Sequence, residues 1–122
     1  MTKVLLVDDD EVLREVLEEA LQEAGHHVTP ARNGREALDI LQREGDWVVL
    51  LDMMMPEVSG LEVIRHLEAH PRLAKGNKII AMSAGWAGQL KMTRPVSPLV
   101  LTCVSKPFDL EHLLALVVAA SQ

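Results

Sequence analysis

Short runs of mainly apolar residues recur along the chain and predict buried β-strands. The four clearest runs occupy residues 4–7, 47–51, 79–82 and 99–104. Because they lack polar alternation, these runs are typical of strands covered on both faces, as in a parallel sheet. A weaker stretch around Val28 precedes Pro30, which a strand accepts at a sheet edge or at its own end. The pattern therefore predicts five parallel strands.

Between these strands, apolar residues recur at the three- and four-residue spacing of amphipathic helices. The first predicted helix begins near Val12 and ends at Gly25, a residue suited to helix termination. Asn33 and Ser59 each precede an acidic residue by three positions, a capping pattern that opens the second and third helices. The third helix is predicted to end near residues 70–71, and Asp109 is the predicted cap of the final helix.

This alternation predicts an α/β fold with a doubly wound, five-stranded parallel sheet, for which 2-1-3-4-5 is a common strand order. That order places the second strand, which contains Pro30, at an edge of the sheet. Residues 85–100 depart from the pattern because they contain Gly85, Gly88, Pro95 and Pro98. Since glycine and proline disfavour a regular helix, we expect a shortened or irregular fourth helix over about residues 86–92.

Composition narrows the classes of function. The chain of 122 residues is long enough for one domain with a real core, and we expect a single domain over residues 1–122. A formal net charge of -6 without a Lys/Arg run argues against nucleic-acid binding. The single cysteine, Cys103, excludes an internal disulfide and suits a reducing compartment. No secretory signal or membrane-length apolar segment is visible, so we expect a cytoplasmic protein that does not bind membranes.

Polar residues with phosphoryl-transfer chemistry follow four of the predicted strands. The carboxyl ends of parallel strands meet at one edge of the sheet, where open α/β sheets bind ligands. The residues expected to meet there are Asp8, Asp9, Asp52, Ser83 and Lys106. Adjacent carboxylates repel unless a cation compensates them, and Mg²⁺ prefers such oxygen ligands. The sequence therefore predicts a magnesium site at this edge.

A carboxylate in such a site can itself attack a phosphoryl donor and form an acyl phosphate. The transfer requires neutralisation of the phosphoryl oxygens, for which Lys106 offers an ammonium and Ser83 a hydroxyl. Each residue taken singly also has an ordinary structural explanation, since an Asp after a strand is often a turn residue or a helix cap. That explanation suits Asp10 better than a catalytic role does. The five histidines are expected to have no catalytic role.

The chain resembles the receiver domains of two-component response regulators, which have the CheY-like fold. The resemblance covers nearly the whole length. It rests on the acidic end of the first strand, on the Asp-x-x-Met-Pro-x-x-x-Gly pattern that starts at Asp52, and on the Lys-Pro-Phe sequence that starts at Lys106. These elements, at this separation, are highly specific for the family.

The resemblance implies a role for each residue of the predicted cluster. Asp52 corresponds to the phosphoacceptor, Ser83 to the switch hydroxyl and Lys106 to the family's lysine. Mg²⁺ is the implied cofactor, and its implied ligands are Asp8, Asp9, Asp52 and the backbone carbonyl of Met54. A cis Lys106–Pro107 bond is also expected, because similar receivers hold the lysine toward the acceptor in this way.

The implied function is to accept a phosphoryl group on Asp52 from a sensor histidine kinase or a phosphotransfer protein and then to signal by binding a downstream protein. The expected protein is a monomer or weak dimer without an output domain, and its only reactions are self-phosphorylation and self-dephosphorylation. Family members commonly carry an aromatic residue three positions before the lysine, where this chain has Cys103. The usual coupling between the switch hydroxyl and that aromatic residue is therefore not expected.

The main alternative is a small phosphatase of the haloacid dehalogenase type. The opening of that family also matches residues 4–12, with Asp8 as nucleophile and Asp10 as acid and base. The acidic pair that the phosphatases carry beyond the lysine is missing, as is a cap insertion. A flavodoxin-like nucleotide or flavin binder would need a glycine-rich phosphate loop, which the sequence lacks. The aspartate that carries the phosphoryl group, Asp52 or Asp8, distinguishes the two main alternatives.

Overall fold

The computed structural model describes residues 2–84 and 97–122 and has the predicted alternation of strands and helices. The strands are β1 (Lys3–Val7), β2 (His27–Ala31), β3 (Val48–Asp52), β4 (Lys78–Ala84) and β5 (Val100–Lys106). The helices within the described residues are α1 (Glu11–Glu23), α2 (Gly34–Arg43), α3 (Gly60–Ala69), α4 (Pro71–Ala74) and α5 (Leu110–Ala120). None of these helices has the length and apolar composition that crossing a membrane requires.

The five strands form one parallel sheet in the order β2-β1-β3-β4-β5, which confirms the predicted topology. β2 lies at an edge, so that Pro30, which has no backbone N–H to donate, is placed where a strand tolerates it. The expected shortened helix over residues 86–92 lies outside the described residues.

The core consists of two hydrophobic clusters, one on each face of the sheet. Successive residues of β1 alternate between them, with Leu5 and Val7 in the cluster under α2 and α3, and Val4 and Leu6 in the cluster under α1 and α5. All four are 0% exposed. Because both faces are covered, the strand reads as a continuous apolar run in the sequence.

The boundaries differ from the predicted ones in two places. β3, β4 and β5 extend one or two residues past their apolar runs because backbone pairing continues through Asp52, Ser83 and Lys106. The predicted end of α3 is correct, but the chain then forms the one-turn helix α4, which was not predicted. Pro71 starts that helix, since a proline in the first helical position leaves no hydrogen bond unmade.

Candidate functional site

Three carboxylates meet at the carboxyl edge of the sheet. Asp8 directly follows β1 and Asp52 is the last residue of β3, which pairs with β1. One oxygen from each of Asp8, Asp9 and Asp52 lies within 4.8 Å of the other two. Asp8 is 0% exposed and Asp52 is 2% exposed, whereas Asp9 faces solvent. The structure therefore brings together the three acids that the sequence predicted to be neighbours.

The Asp8 carboxylate is held from two sides. Its Oδ1 accepts a hydrogen bond of 2.9 Å from the backbone N–H of Asp10, and its Oδ2 accepts one of 2.9 Å from Lys106 Nζ. The Asp10 side chain, in turn, caps α1 by accepting from the Leu13 N–H at 3.2 Å. Asp10 is thus the helix cap that the sequence favoured, and its side chain is engaged away from Asp8.

Asp52 is a buried acid with an unusual proton affinity. Its Oδ1 accepts from the Met54 N–H at 3.0 Å, and its Oδ2 lies 3.4 Å from Lys106 Nζ. Burial is the largest influence and, together with the charge of Asp8 and a hydrogen bond with Asp9, it raises the pKa of Asp52 to about 6. The Met54 N–H and Lys106 oppose this rise without cancelling it. One cation therefore does not balance the charge of this site.

Lys106 supplies the positive charge of the cluster from the end of β5. Burial by itself lowers the pKa of Lys106, but the hydrogen bond and charge of Asp8, with the charge of Asp52, raise it overall. The ammonium is therefore protonated at neutral pH. The peptide bond between Lys106 and Pro107 is cis, as predicted.

Ser83 is the buried hydroxyl of this edge. It lies in β4 next to the end of β3, since Asp52 is in register with Met82. The residue is 0% exposed, and among the described residues no atom forms a hydrogen bond with its Oγ. A buried hydroxyl without a partner is rare, and one that no described group engages can donate to a group that enters the site.

The loop after β3 approaches α3 so closely that only glycine fits at the start of the helix. A Cβ on Gly60 would lie 2.5 Å from the carbonyl oxygen of Asp52 and 2.7 Å from Met53 Cα. In the same loop, Met54 is half-exposed at the mouth of the site while its N–H binds Asp52. The metal-binding role of the Met54 carbonyl remains a prediction.

Sequence reasoning missed two groups that hold Asp8, one at its side chain and one at its backbone. The Asp10 N–H is one of them, and the other is Arg14, whose Nη1 donates to the carbonyl oxygen of Asp8 at 2.9 Å. An arginine in the first turns of the helix that follows the acidic pair is the available signal, although by itself it is a weak one.

The donor set fits a divalent cation with a preference for oxygen ligands. Two of the three carboxylates are almost completely buried, and Asp52 retains its proton to a higher pH than an ordinary aspartate does. A cation such as Mg²⁺ would replace that proton and balance the remaining negative charge, and carboxylate oxygens are the ligands it prefers.

Comparisons with known proteins agree with this geometry. The profile of the response regulator receiver domain matches residues 4–118. Sporulation initiation phosphotransferase F of Bacillus subtilis is 34% identical over 112 residues, which cover 91% of this chain and 86% of that protein. Response regulator receiver protein CpdR of Brucella abortus is 36% identical over 114 residues, 93% of this chain and 91% of that protein.

Solved structures give the same result. A CheY-like response regulator receiver domain protein from Methanospirillum hungatei superposes with a TM-score of 0.85 at 33% identity, covering 97% of this chain and 92% of that one. The response regulator TrrA of Thermotoga maritima was solved in complex with Mg²⁺-BeF. It superposes with a TM-score of 0.80 at 32% identity, and the match covers 98% of this chain and 99% of the TrrA chain.

Proposed function

The chain belongs to the response regulator receiver domain family of two-component systems, and from this premise we propose that Asp52 is its phosphoacceptor. The observation that carries the proposal is the position of Asp52, a buried carboxylate next to two other acids and 3.4 Å from a protonated lysine. The phosphatase alternative is not favoured. In the structure, the side chain of Asp10, which that mechanism would use as its acid and base, instead caps α1 by accepting from the Leu13 N–H.

In the proposed reaction, an oxygen of Asp52 forms a bond to phosphorus while the bond between phosphorus and the donor breaks. The leaving group of the donor, an imidazole nitrogen or an acyl oxygen, keeps the electron pair of that bond. Lys106 Nζ lies beside Asp52 Oδ2, where it neutralises charge on the phosphoryl oxygens. The Ser83 hydroxyl, which has no partner among the described residues, donates to another of them. Mg²⁺ bound by Asp8, Asp9, Asp52 and the Met54 carbonyl would supply the remaining positive charge.

The proposed donor is a sensor histidine kinase or a phosphotransfer protein, as receiver domains bind these proteins. On the outer face of α1 beside the site, Val12 and Val16 are 72% and 51% exposed. Next to them, a groove of about 400 Å³ is lined in part by Leu13, Pro107 and Phe108. Val12 and Val16 lie one turn apart on the same face of α1, and grouped apolar side chains next to a reactive group are suited to docking a donor protein.

We also propose that the protein works in the cytoplasm, where sensor kinases have their phosphohistidine and where Cys103, its single cysteine, would stay reduced. Its proposed output is binding of a downstream protein, and its own chemistry is limited to self-phosphorylation and self-dephosphorylation. Fractionation of cells that express the tagged chain tests the location.

The experiment that tests the acceptor is phosphorylation by acetyl phosphate and Mg²⁺, followed by intact-protein mass spectrometry. The wild type is expected to gain one phosphoryl group, and Asp52→Asn is expected to gain none. Asp8→Asn and Asp9→Asn should react more slowly and require more Mg²⁺. Asp10→Asn is the matched control, because asparagine caps a helix as well as aspartate does. Full reaction of Asp52→Asn, with loss in Asp8→Asn, would favour the phosphatase mechanism instead.

A further inference from the structure

The carbonyl oxygen of Asp8 has a side-chain partner that the proposed chemistry does not use. Asp8 continues the strand pattern on one side, because its N–H donates to the Ala31 carbonyl of β2 at 3.2 Å. Its own carbonyl lies where the chain leaves β1 and turns toward α1. Arg14, on the second turn of that helix, reaches back and donates from Nη1 to this oxygen at 2.9 Å.

Because of its position, this hydrogen bond can orient the side chains of Asp8 and Asp9 as well as stabilise the fold. The carbonyl of Asp8 belongs to the peptide unit that joins Asp8 to Asp9, and the orientation of that unit sets the directions in which both side chains leave the backbone. We propose that Arg14 is a positioning residue for the divalent-cation site, and that it acts by fixing the peptide between these two acids. The inference rests on the proposed function, since it concerns the site that would bind Mg²⁺.

If Arg14 acts only through its charge, its removal changes the affinity for Mg²⁺ in one direction; if it acts by positioning the two acids, the change has the opposite sign. A positive charge close to three carboxylates disfavours cation binding, so its removal alone would strengthen binding of Mg²⁺. The charge of Arg14 also reaches Glu36, whose main partner is Arg32. The pKa of Glu36 is lowered, mainly by its hydrogen bonds with Arg32 and to a smaller extent by the charge of Arg14. If the guanidinium positions the acidic pair, its removal weakens Mg²⁺ binding, because groups that orient metal ligands are typically worth about 10- to 100-fold in affinity.

The experiment measures the Kd for Mg²⁺ by isothermal titration calorimetry in the wild type, Arg14→Met, Arg14→Lys and Arg43→Met. Arg14→Met is expected to raise the Kd about tenfold. Arg14→Lys retains the charge and one donor, so it should recover part of the affinity. Arg43 is the matched control, since it is an exposed arginine whose Nε donates to the Asp39 carbonyl at 3.3 Å at the far end of α2. Its replacement should leave the Kd within about twofold of the wild type.

Circular dichroism and urea unfolding without metal, applied to every variant, separate positioning from folding. An unchanged or lower Kd in Arg14→Met, with or without a loss of stability, would overturn the proposal, as would an equal rise in Arg43→Met. If Arg14→Met does not fold, Arg14→Lys becomes the test variant. The proposal is then overturned if Arg14→Lys has the Kd and the stability of the wild type. A wild type that binds no Mg²⁺ would contradict the proposed function itself, an outcome distinct from failure of the Arg14 proposal alone.

Discussion

The sheet has an amino edge, where its parallel strands begin, and a carboxyl edge, where they end. Each contains an ion pair with the same N···O distance, but the surroundings of the two pairs differ. At the amino edge, Lys3 Nζ lies 2.9 Å from Glu44, and the two side chains are 34% and 59% exposed. At the carboxyl edge, Lys106 Nζ lies 2.9 Å from Asp8, and the side chains are 18% and 0% exposed. Equal distances therefore do not mean equal energies, because attraction between charges and the cost of removing them from water both grow with burial.

Two polar side chains at the amino edge, those of Asn77 and Lys78, are matched to partners. Asn77 accepts from the Trp47 N–H at 2.8 Å and donates to the Leu73 carbonyl, and Lys78 Nζ donates to the Ala120 carbonyl at 2.7 Å. At the carboxyl edge, by contrast, Asp8, Asp9 and Asp52 lie together, and the Lys106 ammonium pairs with Asp8 and Asp52. This difference indicates that the polar groups of the amino edge stabilise the fold, while the carboxyl edge keeps an excess of negative charge that a bound cation can balance.

The largest predicted effect comes from breaking the buried pair. In Lys106→Met, the fully buried Asp8 carboxylate faces Asp52 without a counter-ion, and we expect a loss of about 3 kcal/mol in the free energy of unfolding without metal. Saturating Mg²⁺ should recover much of this loss, because it would supply the missing positive charge. Urea unfolding with EDTA and with Mg²⁺ measures both values. Lys75→Met, at an exposed lysine, is the control. Equal losses with and without Mg²⁺ would show that the charge balance of the site does not set the effect.

The next largest effect is predicted at the amino edge. Asn77→Ala leaves the Trp47 N–H and the Leu73 carbonyl without their partner, and we expect a loss of about 2 kcal/mol. The loss should be the same in EDTA and in Mg²⁺. For comparison, Asn33→Ala removes the cap of α2 at the carboxyl edge and should cost about 1 kcal/mol. A metal-dependent loss in Asn77→Ala would contradict the separation of the two edges.

A third prediction uses the proton on Asp52. Because its folded-state pKa is about 6, against an ordinary value of 3.8, the folded protein binds this proton more tightly than the unfolded chain does. The resulting stabilisation is fully present below about pH 4 and is lost as the pH rises through 6. Asp52→Asn should therefore be more stable than the wild type at about pH 7.5 without metal, by about 1–2 kcal/mol, and equally stable near pH 4. Loss of one partner of Lys106 offsets part of the gain.

Urea unfolding of both proteins in EDTA, at several pH values, checks this prediction. Added Mg²⁺ should stabilise the wild type more than Asp52→Asn at neutral pH and should reverse their order. A stability difference that does not change with pH would mean that the effect of Asp52→Asn comes from packing or hydrogen bonding rather than from charge.

Much of the carboxyl edge could be predicted from the sequence. The apolar runs of β1, β3, β4 and β5 are continuous, and parallel strands gather their ends at one edge, so the meeting of Asp8, Asp52, Ser83 and Lys106 follows from strand order alone. Their exact strand positions did not follow, because backbone pairing extends into polar residues that periodicity assigns to loops. The helix α4 was missed because Pro71 was interpreted only as a stop.

The interactions around the site were less accessible to sequence reasoning. The Arg14 bond joins a side chain to a backbone oxygen six residues earlier, and no periodic pattern marks such a contact. The raised pKa of Asp52 depends on burial together with several opposed neighbours, of which the sequence indicates only the charges. The amino edge gave no functional signal at all, since Asn77 and Lys78 read as ordinary polar residues before a strand.

The smallest predicted effect is the loss of the exposed pair, and it is the direct test of the comparison between the edges. Lys3 Nζ lies 2.9 Å from Glu44 and also 4.4 Å from the centre of the Trp47 ring, so two attractions are lost together in Lys3→Met. The Lys3 and Glu44 side chains reach water although the Trp47 ring is buried, and partly exposed ion pairs and cation–π contacts contribute about 1 kcal/mol or less each. A methionine also keeps most of the length of the aliphatic stem. We therefore expect a loss of about 0.5 kcal/mol at low salt, which urea unfolding should show to fall toward zero in about 1 M NaCl. The Lys106→Met loss should persist there, because salt screens a buried pair much less. Equal losses in the two variants, with equal salt dependence, would mean that N···O distance rather than burial sets the strength of these pairs.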